Sequence, residues 1–320
     1  MGKKARAATA RAAVSPRPEG QVAQVAPREP CPCGSGRRYK ACHGRAQREA
    51  YVARPFGGLT GECDWVAMRE IVPAATAALT LAGEHAGTSA TLATVLPLAW
   101  PGLRREDGEV MVGLQVAGSS TDPNRDVAAA LLSAIEAEPG SPVAPGGLPG
   151  PGPRLEDVLD ATAPLNVTVH SGFEFWLDGL EDGSGSSDVA ASMERANEAA
   201  VPTERLSMVE AAYWCRIGDR SHLRWVLPYD EGPLLDAMAR LKATGREGLG
   251  EGTRFVGSFR AHGLLVPVWD LAEGTTAEDV EDPAHDYAER LGEALAETAP
   301  LDEDARRARS GLLSRQVTLR

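Results

Sequence analysis

Between Pro30 and Gly44 the chain reads PCPCGSGRRYKACHG, which places three of its five cysteines and one of its six histidines within fifteen residues. The spacing is C-x-C-x8-C-H. Two thiols one residue apart, followed by a second soft pair, form a four-ligand cage of the Cys3His type that structural zinc favours. Gly34, just after the first pair, lacks a Cβ, so the chain can bend sharply and bring backbone N–H groups near the sulfurs. Three thiolates around Zn²⁺ leave a net charge of −1, and Arg37, Arg38 and Lys40 lie beside it in sequence to offset that charge. A closed cage has no open position for water, so this metal is read as structural, not catalytic.

The segment resembles the SEC-C motif, the zinc-binding tail of the bacterial preprotein translocase motor SecA, over residues 30–44. Arg37 and Arg38 stand where lysines are common, which keeps the charge. The resemblance implies zinc ligation by Cys31, Cys33, Cys42 and His43. It also implies a docking role, since the SecA tail contacts a chaperone and other negatively charged partners. Residues 51–320 contain no ATPase motor, and their layout is similar to an uncharacterised domain family of high-GC bacteria that carries this motif near its N-terminus. That second resemblance brings no activity with it.

Charge is divided sharply along the chain. Residues 1–50 carry eleven Lys or Arg against three Glu, a net of +8, while the remainder carries 22 against 42, a net of −20. A basic arm on an acidic body points to an anionic partner, such as a ribosome, RNA or DNA, a lipid surface or a protein-translocation component. Arg37, Arg38 and Lys40 are the candidate partner-binding residues. Tyr39 is the only aromatic residue in residues 1–50, so stacking on bases is not expected.

Localisation follows by elimination. Four lysines against 29 arginines, with abundant Ala, Gly and Pro, bear the imprint of GC-rich coding and of a bacterial source. The first thirty residues lack an apolar core of the secretory type. The longest apolar stretch, Ile71–Ala82, is twelve residues and contains Pro73. That is short of the ~20 residues a spanning helix needs. Cys63 and Cys215 lie outside any disulfide framework, so a reduced cytoplasm is expected.

The pattern predicts a disordered basic arm over 1–28, a zinc module over 29–45 and a tether over 46–60. An α+β body follows, in two related ββαββ halves at 61–180 and 200–275, and then C-terminal helices at 281–315. In the first half, strands are expected through Leu96–Trp100 and Val110–Val116. A helix capped by Asp122 with Pro123 at its first position comes next, and then strands at Leu165–Val169 and Phe173–Leu177. In the second half, Val209–Ile217 and Leu223–Leu227 alternate, a Pro-started helix carries Leu234, Met238 and Leu241, and His262-Gly263 turns a hairpin. A turn at Asp219-Arg220 would set Trp214 opposite Trp225 on one sheet face. Asp282-Pro283 starts one C-terminal helix, and Asp302 opens another.

Standard enzyme signatures are missing. No phosphate-binding loop, H-E-x-x-H or G-x-S-x-G elbow is present, so no catalytic residue is assigned. His170, Glu174 and the strand arginines Arg216, Arg224, Arg254 and Arg260 are the remaining candidates for a pocket or an anionic ligand, although half the positions on a two-faced strand point to solvent. The favoured function is a binding or adaptor protein. The alternative is an enzyme or small-molecule binder, with the acidic body active and the zinc module accessory.

Overall fold

The computed structural model describes residues 28–30, 36–38, 52–116, 120–144, 150–177 and 187–314. Contacts divide the chain into two units, Met1–Ala50 and Tyr51–Arg320. The larger unit is mixed α+β, with two five-stranded sheets and seven helices among the described residues.

Helix α1 (Glu62–Glu70) begins after Gly61, whose φ of 75° is left-handed. Six of its nine residues are buried, so it packs on more than one side. Strands β1 (Ala75–Leu79), β2 (Ala90–Ala93), β3 (Gly102–Arg104) and β4 (Val110–Gly113) follow, then α2 (Pro123–Glu136), α3 (Leu155–Val158) and β5 (Thr168–Val169). They form a sheet of order β3-β4-β2-β1-β5, in which only β2 and β4 run parallel. Of the apolar stripe expected along α2, Val127 and Leu131 are buried and Ile135 packs partly buried against the same cluster.

Helix α4 (Ser187–Ala199) leads into the second sheet, with β6 (Thr203–Arg205), β7 (Ala212–Ile217) and β8 (Arg220–Trp225). Helix α5 (Glu231–Ala243), β9 (Arg254–Ala261) and β10 (Leu264–Asp270) complete it. The order is β6-β7-β8-β10-β9, antiparallel throughout. Ala261 pairs with Leu264, so His262 and Gly263 form the two-residue turn, with φ of 46° and 82°. Helices α6 (Glu278–Ala296) and α7 (Glu303–Ser314) end the described chain.

Several local expectations are corrected. Leu96–Trp100 is not a strand. Pro97–Ala99 forms a 3₁₀ turn in which Leu98 and Ala99 take φ of 53° and 54°, and Leu98 is 45% exposed. Glu174–Trp176 is likewise a 3₁₀ turn. The first half therefore has β1, β2, β3 and β4 ahead of α2 and only the two-residue β5 after it, which is not a ββαββ unit. In the second half β7, β8, α5, β9 and β10 follow in that order, with β6 added at the edge. The β7–β8 turn is Gly218-Asp219, because Gly218 supplies the positive φ of 59°. Trp214 therefore faces Leu223, and Trp225 faces Ala212. A two-residue change of register preserves the face, and both indoles stay in one apolar cluster. Helix α6 starts ahead of Asp282-Pro283, where Thr276 and Asp279 exchange side-chain-to-backbone hydrogen bonds in the manner of a capping box. Asp302 caps α7 through the Ala305 N–H at 2.7 Å.

Three apolar clusters hold the body together. Helix α1, with Phe56 just before it, shares one cluster with the first sheet, α2 and one face of the second sheet through Tyr213, Phe259 and Val266. The opposite face of the second sheet, with Trp214, Trp225 and Trp269, packs against α5 and α6, where Tyr287 meets Trp269 edge-on at 5.1 Å. A third cluster joins Ala93 and Met111 of the first sheet to Phe173, Phe175 and Trp176. Within the stretch expected to be a tether, Phe56 has no exposed surface.

Candidate functional site

In the N-terminal unit, Pro30 and Arg38 form an antiparallel bridge, and Gly36 between them has φ of 69°. The bridge brings together the two ends of the segment that carries Cys31 and Cys33. Arg37 and Arg38 are exposed. Cys31, Cys33, Lys40, Cys42 and His43 lie outside the described residues. A donor set of three thiolates and one imidazole suits zinc.

In the body, His170 lies where β5 ends. Its backbone N–H donates to Ala74 O at 2.9 Å, and its Nε2 is 2.8 Å from Thr76 Oγ1. Its ring stands 4.9 Å from that of Phe175. Glu174 is exposed and accepts from the Asn197 amide at 3.1 Å, while Asn197 Oδ1 takes the Phe173 N–H. Both side chains thus tie the turn at 172–177 to its neighbours.

The four strand arginines are not gathered. Arg216 and Arg260 register with the helix-covered face of the second sheet, and Arg224 and Arg254 with the other. Arg260 pairs with Glu231, which holds that carboxyl below its usual range, and Arg254 pairs with Asp270.

One arrangement escaped sequence reasoning. Thr203, Cys215, His222, Asp270 and Arg254 stand in a single row across all five strands of the second sheet. His222 Nδ1 is 3.0 Å from Asp270 Oδ1. The order Cys, His, Asp is that of a thiol nucleophile with its base and orienting group. The Cys215 side of the row does not fit that role: the residue is 1% exposed, and burial pushes its thiol pKa up, only partly opposed by Arg224. The Arg-x-His-x-Arg alternation of β8 was the legible trace of this face, but its partners come from strands up to fifty residues distant.

A second polar cluster links the sheet to α1. Asp64, 6% exposed, receives the Tyr213 hydroxyl and the Arg205 guanidinium. On the far side of the second sheet, Met208, Trp225, Leu227, Tyr229, Ala288 and Leu291 line a groove of about 230 Å³. His170, Glu174 and the strand arginines lie outside it. No helix among the described residues is long and apolar enough to cross a membrane.

A bridge-closed, cysteine-bearing segment ahead of an α+β body defines a chain of two unlike parts. The first part matches the SEC-C motif over residues 28–45. The second matches the DUF5926 family of unknown function over residues 55–320, and the chain belongs to that family. No curated protein and no solved structure matches it.

Proposed function

We propose that the protein is a cytoplasmic zinc-binding adaptor, in which a module over residues 29–45 docks on an anionic partner and the α+β body supplies a second surface. Cys31, Cys33, Cys42 and His43 would hold a structural Zn²⁺. Arg37, Arg38 and Lys40 would meet the partner. The observation that carries the reading is the Pro30–Arg38 bridge, which pairs the residues on either side of the stretch bearing Cys31 and Cys33 in sequence, with Arg37 and Arg38 both exposed. Zinc supplies a rigid knuckle there, because so short a segment cannot bury a core of its own. The arginines act by neutralising phosphates without reading bases. The buried, alkaline-shifted Cys215 beside His222 supports binding over thiol catalysis.

The test is fluorescence anisotropy of the full chain against a labelled single-stranded RNA and against vesicles containing phosphatidylglycerol, over a range of salt. The reading expects binding to polyanions that weakens steeply with salt and weakens further in Arg37→Glu/Arg38→Glu. Salt-insensitive binding, or none, would overturn the docking role. The two probes distinguish a nucleic-acid partner from a lipid surface.

A further inference from the structure

We infer that the groove beside Trp225 is a docking site for a cationic, amphipathic segment of a partner protein. It lies between α6 and the loops that flank β7 and β8. Trp225, Leu227 and Leu291 form its floor, each no more than 3% exposed. The floor offers no free donor, because the Trp225 indole N–H is already given to Glu210 O at 2.9 Å. Met208 and Tyr229 stand at the mouth, 45% and 38% exposed, and are two of the five exposed large apolar residues among those described. Exposed apolar side chains collected around one concavity mark an interaction site more strongly than the same residues scattered singly.

The groove is shaped in advance. Glu281 of α6 accepts the backbone N–H groups of both Ser207 and Met208, at 2.7 and 2.9 Å, and so fixes the loop that carries Met208. A mouth held in place loses less entropy on binding than a mobile one. At about 230 Å³ the space is smaller than a typical cofactor or drug-sized pocket, and it suits one or two large side chains of a peptide.

Charge selects the occupant. No Lys or Arg lines the groove; its lining includes the exposed residue Glu210 and one histidine, His285. Glu281 lies behind the Met208 loop, and Glu289 is 3.8 Å from His285 at the α6 side. The surrounding body carries a net −20 over residues 51–320. A segment with an apolar anchor flanked by Lys or Arg satisfies both the apolar floor and the acidic rim, whereas an acidic segment would be repelled. Every residue that lines the groove belongs to the larger unit, so this inference does not rest on the role proposed for Arg37, Arg38 and Lys40.

The experiment titrates the full chain into a fluorescein-labelled synthetic peptide of fourteen residues, with Leu and Phe at helical spacing and Lys elsewhere. A matched peptide with Glu in place of Lys serves as the control. The Lys peptide should bind and the Glu peptide should not. Met208→Ser and Tyr229→Ser, at exposed positions, should each weaken binding about tenfold if these side chains anchor the peptide. Glu210→Gln, which leaves the backbone bond to Trp225 intact, should weaken it less and reduce its salt dependence. Equal binding by all variants would mean attraction to the acidic body at large and would overturn the site. So would equal binding of the Glu peptide. Sedimentation showing a dimer that Tyr229→Ser abolishes would assign the groove to a second copy and overturn the proposed occupant.

Discussion

The Tyr213 hydroxyl on β7 donates a 2.7 Å hydrogen bond to the buried carboxylate of Asp64 on α1, and Arg205 on β6 donates to the same carboxylate at 2.9 and 3.2 Å. This bond joins the helix packed on the first sheet to the second sheet. Burial, reinforced by the Asp64 charge, raises the Tyr213 phenol well above its ordinary range, so it stays a neutral donor. Asp64→Ala leaves a buried hydroxyl and a half-buried guanidinium without their acceptor and should cost about 3 kcal/mol. Tyr213→Phe leaves the ion pair intact and should cost about 1 kcal/mol. Urea unfolding monitored by tryptophan fluorescence ranks the two, and a larger loss in Tyr213→Phe would contradict the account.

A second link between elements is sensitive to pH. His262, in the β9–β10 turn, lies with Nε2 2.8 Å from Glu70 Oε1 at the end of α1, and its ring stands edge-on to Phe56. The hydrogen bond from His262 holds the Glu70 carboxyl below its usual range, against the opposing effect of burial. A carboxyl depressed in the folded state adds stability above its unfolded pKa, and that stability is lost as pH falls through the folded pKa. Glu70→Gln should therefore flatten the decline in stability below about pH 5, while the wild type keeps it. Urea midpoints measured from pH 7 to pH 3 give the two curves, and parallel acid limbs would remove Glu70 as a contributor.

The thiols of the body should be inert. Burial, with Glu62 and Asp64 nearby, pushes Cys63 up to about 12, and burial also raises Cys215. The thiolate is the reactive form, so iodoacetamide at pH 8 should leave both unmodified in the folded protein and label them only in urea. Mass spectrometry of digested peptides locates the label. Rapid modification of Cys215 in the folded state would instead point to an activated thiol beside His222.

Legibility in the sequence followed the local signals. Pro123 at the first position and the stripe from Val127 to Ile135 mark α2, while the Asp122 carboxylate makes no capping bond and pairs with Arg125 and Arg154 instead. His262-Gly263 marks a hairpin, and each signal is decided within a few residues. Leu96–Trp100 misled because Leu, Leu and Trp alternate there, whereas Pro97 and the positive φ of Leu98 and Ala99 turn the chain away. Strand β1, Ala-Thr-Ala-Ala-Leu, carries weak strand propensity of its own and forms by pairing with β2 and β5. The row from Thr203 to Arg254 could not be read, since register across five strands is set by turns and bulges distributed over sixty residues. The groove beside Trp225 was hidden for the same reason, as its walls come from three separate segments.

The central claim rests on metal at Cys31, Cys33, Cys42 and His43, and elemental analysis tests it most directly. Full-length protein purified without chelators should carry one zinc per chain, and Cys33→Ser, lacking one thiolate of the four donors, should carry almost none. Wild-type protein with a zinc content near zero, or a Cys33→Ser variant that retains full occupancy, would contradict the assignment.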